Sequence, residues 1–301
     1  MTIDQRTKFD VAVIGTGQMG SALACAFQDR GLAVTVWNRT AERALPLGQR
    51  GIDVSSGLLE AVRKSGLVVV CVYDPSSAAA LLETPLVETA LAGKTLVNYT
   101  TGTAQDARRC AQWASDKGID YVDGAIMVLP REIGQSHSMI LHAGSETGYE
   151  KYQSVLQSLG GKVSFVGADP ALSSVLDSSL LTFYYGTFLA ACQAGVLADA
   201  NGLTFDKLIP YIAAYIPTIV GILQEARQMV AENSYKGSDA SLTLHFTNGL
   251  LTPFTQARSA GISLILYDAL HKIMKAAVDA GRGDEELPVL FDFLKKSGSS
   301  V

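Results

Sequence analysis

The stretch FDVAVIGTGQMGSALACAFQDRG, close to the start of the chain, restricts the fold more than any other feature. A short apolar run of strand length, VAVIG, leads into Gly15, Gly17 and Gly20, and the chain then continues at helical spacing to Gly31, a helix stop. Strand, glycine turn and helix in that order open a βαβ unit. Taken alone the G-x-G-x-x-G spacing is weak, because three glycines beside a strand can mark only a tight turn. The context decides. A second strand, AVTVWN, follows at the spacing a βαβ unit requires, and LVVVCV, TLVNY and DYVDG come after it, separated by helical patterns such as TAQDARRCAQWASDKG. This alternation predicts a parallel sheet covered on both faces. In such a sheet Gly15 permits the turn, Gly17 lets the backbone approach a pyrophosphate, and Gly20 lets helix and strand pack closely. The helix N-terminus adds N–H donors and partial positive charge for the phosphates of a dinucleotide.

Which dinucleotide is read at the end of the second strand, where an acid usually takes the ribose hydroxyls of NAD. Here the residues are Asn38, Arg39 and Thr40. An acid would repel a 2′-phosphate, whereas Arg39 can pair with one, Asn38 and Thr40 can donate to it, and Arg43 lies a turn later. NADP(H) is the expected cofactor, against the plain alternative that Arg39 is a solvated loop arginine.

After KVSFVG the strand patterns stop, and the chain changes character. Asp169-Pro170 opens a long helical stretch from about Ala171 to Ala200, with Asp169 as N-cap and Pro170 in the first turn. Helical segments follow around Leu203–Ala214, Thr218–Ala231 and Ile262–Ala280, with breaks expected at Pro210, Pro217, NSYKGSD and Pro253. The expected architecture is an α/β Rossmann-type N-terminal domain (1–168), an interdomain helix (169–200) and an all-α C-terminal domain (201–301). A chain of 301 residues, 48% hydrophobic and 18% charged, suits two such cores. The net charge of −5, without a basic run, argues against nucleic acid as a partner. Cys25, Cys71, Cys110 and Cys192 lack C-x-x-C spacing and read as small buried residues in a reducing cytoplasm. His137, His142, His245 and His271 show no i, i+4 pairing with an intervening acid, so no metal is expected. No charged residue occurs between Asp177 and Asp199, a span long enough for a bilayer. Its polar residues and acidic flanks favour a helix buried in protein over a membrane span.

A sheet domain, a connecting helix and a helical domain resemble the β-hydroxyacid dehydrogenase superfamily, and within it the imine reductases and reductive aminases. GTGQMG, VWNRTAERA, VNYTTGT, GAIMVLPREIG and LDSSLLTFYYG carry the resemblance over nearly the whole chain. It implies a cofactor site that includes Thr16, Gln18, Met19, Val72, Tyr73 and Thr100. It also implies a substrate pocket drawing on Thr100, Thr101, Met127, Tyr184, Tyr215, Leu244 and His245. In the hydroxyacid dehydrogenases the interdomain helix carries a lysine for the substrate oxygen, and Asp177 stands in its place here.

The chemistry of that acid can be argued without the family. Reducing a ketone builds negative charge on oxygen, which a carboxylate opposes. Reducing an iminium ion removes positive charge, and a neighbouring carboxylate favours the protonated, electrophilic form by holding its N–H. Asp177 therefore suits a C=N substrate, as stabiliser, positioner or proton donor, unless it only bonds local backbone. Matching the family's D…YG spacing selects Tyr185, beside Gly186, as its catalytic partner, while helical geometry brings Tyr184 more nearly into line with Asp177. The reductive aminases carry Asn where this chain has Thr101, which counts against efficient coupling of amine and ketone.

The expected activity is NADPH-dependent reduction of imines, preferably cyclic, with reductive amination secondary. The rivals are an NADP-dependent 3-hydroxyacid dehydrogenase and a non-catalytic NADP(H) sensor. Because the apolar helical half exceeds what one subunit can bury, a homodimer with exchanged helices is expected.

Overall fold

A computed structural model describes residues 9–237 and 239–295. The chain forms two compact units that divide between Thr182 and Phe183.

The first unit is built on β1 (Val11–Ile14), β2 (Val34–Trp37), β3 (Asp53–Val54), β4 (Leu67–Val70), β5 (Thr95–Asn98), β6 (Asp120–Ile126), β7 (Met139–Gly144) and β8 (Lys162–Gly167). Its helices are α1 (Gln18–Asp29), α2 (Leu45–Gln49), α3 (Leu58–Lys64), α4 (Pro75–Leu82), α5 (Pro85–Leu91), α6 (Ala104–Asp116), α7 (Glu146–Lys151) and α8 (Gln153–Gln157). The strands form one sheet in the order β3-β2-β1-β4-β5-β6-β7-β8. β1 lies between β2 and β4, so the strand order reverses there and leaves a crevice at the carboxyl ends.

The sheet is parallel from β3 to β6, but β7 runs antiparallel to β6, a departure from the all-parallel expectation. The connection between them contains only a 3₁₀ turn, Pro130–Glu132, rather than a crossover helix, so the chain folds straight back. Alternate residues face opposite layers. Val11, Val13, Val69 and Val97 pack with Leu23 and Phe27 of α1, while Ala12, Ile14, Val68, Val70 and Leu96 pack with Val62 of α3, Leu91 of α5 and Ala114 of α6.

The long helix α9 (Ala171–Asp199) begins as its sequence predicts. The Ala171 N–H donates to Asp169 Oδ1 at 3.0 Å, and Asp169 Oδ2 accepts from Arg108 at 2.8 Å, which fastens the helix start to α6. Within the single chain much of the apolar surface of α9 is uncovered. Phe183, Phe188, Leu189 and Val196 are exposed, and so is Cys192, contrary to its reading as a buried residue.

In the second unit α10 (Phe205–Glu232) runs unbroken through Pro210 and Pro217, where breaks were expected. Each proline removes one backbone hydrogen bond, and the remaining bonds of a 28-residue helix keep it continuous. It ends at Asn233, whose φ of 49° is left-handed. The NSYKGSD break is present apart from Ser238, which lies outside the described residues. Then come α11 (Leu242–Leu244), a π-helical segment His245–Leu250, α12 (Leu251–Ser259), α13 (Ile265–Ala277) and α14 (Leu290–Lys295). Pro253 lies inside α12 just after the π segment, and a widened turn accommodates its ring. Tyr235, Leu242, Tyr267, Met274 and Val289 form the core of this unit. Arg282 pins its edge by pairing with Glu285 at 2.6 Å and Asp292 at 3.0 Å. By length and composition alone, α9 and α10 are each apolar enough to cross a membrane.

Leu96 is fully buried among the helices of one sheet face. Leu96→Ala should lower unfolding stability by about 2–5 kcal/mol, read as a reduced urea midpoint with unchanged slope.

Candidate active site

At the carboxyl end of β1 the chain turns so tightly that side chains are excluded. Gly15 has φ of 97°, and a Cβ there would run into the Cys71 carbonyl. A Cβ on Gly20 would meet the Gly15 carbonyl, so α1 sits directly on the turn. Gly17 differs, since a Cβ there would find nothing within 4 Å. It faces a cavity of about 320 Å³.

Of the residues expected at the cofactor, Gln18, Met19, Thr40, Arg43, Val72 and Tyr73 line this cavity together with the three glycines, Asn38 and Arg39. Helix α1 opens onto it with no side-chain cap and no acid in its first turn, leaving its N–H groups for a phosphate. Thr16 is buried behind the turn, and its Oγ1 has no partner among the described residues. The Thr16 N–H donates to Asn38 Oδ1 at 3.0 Å, and Asn38 Nδ2 donates to the Thr40 carbonyl at 2.8 Å. Asn38 thus ties the glycine turn to the end of β2. Arg39 and Arg43 are exposed and make no ion pair among the described residues, whereas Arg50, Arg108, Arg109 and Arg282 all do. Two unpaired guanidinium groups at the rim, with no acid lining the cavity, fit a 2′-phosphorylated dinucleotide.

A second cavity, of about 220 Å³, shares Met19, Cys71 and Val72 with the first. Thr100, Thr101, Ser174 and Asp177 bring the polar groups to it, and no lysine, arginine or histidine is among its described lining residues. Thr100 lies here rather than in the first cavity. Its Oγ1 accepts from the Val72 N–H at 3.2 Å and its own N–H donates to Asn98 Oδ1 at 3.0 Å, so it clamps the ends of β4 and β5 together. Gly124 is needed because a side chain there would strike the Tyr99 ring. Asp177 is only 9% exposed, and burial raises its carboxyl above the usual range. No described residue donates a hydrogen bond to it. Burial also pushes the Cys71 thiol up to about 11, so it is neutral at ordinary pH.

The remaining expected residues are placed as follows. Met127 lines neither cavity, and its N–H donates to the Met139 carbonyl at 3.0 Å, extending the pairing of β6 with β7. Tyr184 and Tyr185 belong to the second unit, two turns along α9 from Asp177. Their rings meet edge to face at 5.1 Å, both are exposed, and neither hydroxyl has a partner among the described residues. Tyr215 is exposed on α10, Leu244 is exposed at the end of α11, and half-buried His245 opens the π segment.

One functional group escaped the sequence reading. Asp123 of β6 is buried and takes three hydroxyl donors: Ser173 Oγ at 2.5 Å, Ser174 Oγ at 3.0 Å and Tyr121 Oη at 2.8 Å. Tyr121 Oη in turn accepts from Asn98 Nδ2 at 3.2 Å. This chain of bonds runs from the end of β5 through β6 to the first turn of α9, one turn before Asp177. The signal was present in DYVDG, where the strand period puts Tyr121 and Asp123 on one face.

Several known proteins are similar to this chain. Residues 10–167 match the NAD-binding domain of 6-phosphogluconate dehydrogenase, and residues 169–296 match the C-terminal domain of NADPH-dependent reductive aminase-like proteins. An imine reductase from Myxococcus stipitatus, solved with NADP+, is 35% identical, with a TM-score of 0.87 over 95% of this chain and 99% of that one. The chain belongs to the imine reductase and reductive aminase family. A reductive aminase from Aspergillus terreus, solved with NADPH and ethyl levulinate, is 30% identical, with a TM-score of 0.89 over 96% of this chain and all of that one (100%). An NADPH-dependent reductive aminase from Aspergillus oryzae is 28% identical over 95% of this chain and 97% of its own length. The two adjoining cavities of the first unit meet at Met19, Cys71 and Val72, the first at the glycine turn and the second at Asp177.

Arg39→Ala should weaken binding of NADPH about tenfold or more while leaving NADH binding nearly unchanged, measured by fluorescence titration.

Proposed function

We propose that this protein reduces carbon–nitrogen double bonds, preferably in cyclic imines, with NADPH as the reductant. One observation carries the reading: the small cavity beside the dinucleotide site holds a buried carboxyl, Asp177, and no cation among its described lining residues. Between Ala168 and Asp206 the sequence contains no lysine. A developing alkoxide would find no positive partner there, which disfavours a 3-hydroxyacid dehydrogenase.

NADPH, when bound, supplies the hydride. The glycine turn and the N-terminus of α1 would hold its pyrophosphate, and Arg39 and Arg43 would take its 2′-phosphate. Asp177 meets the imine nitrogen, and burial, which raises its proton affinity, favours the protonated form that can deliver a proton. A protonated C=N bond is the more electrophilic acceptor, and its positive charge disappears as the hydride arrives, so an acid that returns to an anion matches the change in charge. Thr101 offers a hydroxyl at the same cavity. Tyr185 is the catalytic partner of Asp177 by the family spacing, with Tyr184 the alternative on helical geometry. Tyr215, Leu244 and His245, expected at the substrate pocket from the family resemblance, belong to the second unit, and Met127 lines neither cavity of the first. Amine and ketone coupling is secondary because Thr101 replaces the family's Asn. A sensor that only binds NADP(H) would have no need of a buried acid beside the nicotinamide.

The working form in this reading is a homodimer with exchanged helices, located in the cytoplasm. Phe183, Phe188, Leu189, Ile209, Val220 and Leu223 on α9 and α10 expose more apolar surface than a lone chain keeps in water, and a second copy would cover it. Four unpaired cysteines suit a reducing compartment.

The decisive assay is NADPH oxidation with a small cyclic imine beside the reverse reaction with 3-hydroxyisobutyrate. Imine turnover is expected, and hydroxyacid turnover without it would overturn the proposal. Asp177→Ala should then cut imine turnover about 100-fold or more while sparing NADPH binding. Light scattering should give twice the chain mass, and a stable monomer would contradict the dimer.

A further inference from the structure

The carboxyl of Asp123 has no contact with the cavity, yet it is tied to the helix turn that carries Asp177. We infer that Asp123 is a positioning residue acting through Asp177: its buried negative charge keeps the one proton of the pair on Asp177, which makes Asp177 the acid facing the substrate cavity. The inference rests on the reading of that cavity as an imine site.

Ser174 links the two carboxyls. Its Oγ donates to Asp123 Oδ1 at 3.0 Å, and it lines the same cavity as Asp177. Residues three apart on a helix are surface neighbours, with Cβ atoms about 5–6 Å apart, so Asp177 sits beside the serine that holds Asp123, and its charge reaches the Asp123 carboxyl and raises it. Like charges at such range resist joint ionisation, and the pair holds a proton more firmly than either acid would alone. Where the proton resides follows from the donors. Asp123 receives three hydroxyl hydrogens, from Ser173, Ser174 and Tyr121, and these favour its anion. Asp177 receives none from a described residue, so the proton settles there.

The titratable groups packed around the pair are neutral at ordinary pH. On α6 the Cys110 thiol is raised, chiefly by burial, with the Asp123 charge adding to the rise. From the end of β4, the Cys71 thiol is pushed up to about 11 by burial. Tyr99 after β5 and Tyr121 of β6 are held well above the usual phenol range, again by burial. His142 of β7, bonded to the Tyr99 hydroxyl at 2.6 Å, is lowered to about 4 by burial and is neutral. On α9 no other charged residue precedes Asp199. Burial raises the Asp123 carboxyl, its serine and tyrosine donors oppose this, and the Asp177 charge adds to the rise, as expected of coupled neighbours.

Removing the Asp123 charge must therefore lower the proton affinity of Asp177. Infrared difference titration of the enzyme saturated with NADP+ would follow the carboxylic acid band that is lost in Asp177→Asn. In Asp123→Asn that band should titrate about one pH unit or more lower than in the wild type. The alkaline limb of kcat for a cyclic imine should move down with it, while NADPH affinity stays the same. The double variant Ser173→Ala/Ser174→Ala strips two donors from Asp123, lets the proton pass to it, and should also move the Asp177 midpoint down. It carries the test if Asp123→Asn does not fold. A midpoint that stays in place or rises in a folded variant overturns the inference. A midpoint that falls in an enzyme without imine turnover upholds the link between the acids and removes the imine reading instead.

Discussion

The close approach of three backbone segments at Gly15, Gly20 and Cys71 is the constraint on which the site depends. The turn after β1 presses against the Cys71 carbonyl at the end of β4, and α1 packs onto the Gly15 carbonyl through Gly20. No side chain larger than hydrogen fits at either glycine, so the contact is a matter of backbone geometry and cannot be recovered by repacking. It opens the crevice where the strand order reverses, aims the uncapped N-terminus of α1 into it, and places Met19 and Cys71 on the wall shared by both cavities.

A second link, made of side chains, sets the chemistry on that scaffold. The Asp123 carboxyl gathers hydroxyls from β6 and from the first turn of α9, while Asp169 and Arg108 hold the same helix start from outside. Asp177 is carried on the next turn of a helix fastened at both points. A buried acid with no cationic partner would be costly if ionised, and its neighbourhood favours keeping the proton instead. In the proposed reading such an acid gives its proton to an imine nitrogen and is left as an anion, whereas an oxygen substrate that becomes negative would find no cation among the described lining residues.

Several features of the fold were legible because they depend on local rules. The strand–glycine–helix opening, the Asp169 cap and the period-2 strands follow from spacing and capping chemistry. The features that misled are those in which distant parts of the chain overrule local preference. Pro210 and Pro217 look like helix breaks in isolation, yet α10 absorbs both because a long helix loses only two of its many bonds. The strand β7 pairs antiparallel because its connection is too short in regular structure to cross the sheet. Asn38, which lines the first cavity, has a further role that the sequence did not show: it accepts from the Thr16 N–H and donates to the Thr40 carbonyl.

By itself the sequence determined the dinucleotide turn, the arginines in place of an acid after β2 and the lone acid in an apolar helix, since each is visible as a residue type at a position set by local spacing. Tertiary structure alone decided what surrounds that acid. Asp123 and Asp177 are 50 or so positions apart, like the Ser173 and Ser174 hydroxyls that bridge to β6, and no periodicity links a strand interior to a helix start at that distance. Their coupling exists only because the sheet brings β6 beneath α9, where burial turns two ordinary carboxyls into a pair that shares a proton.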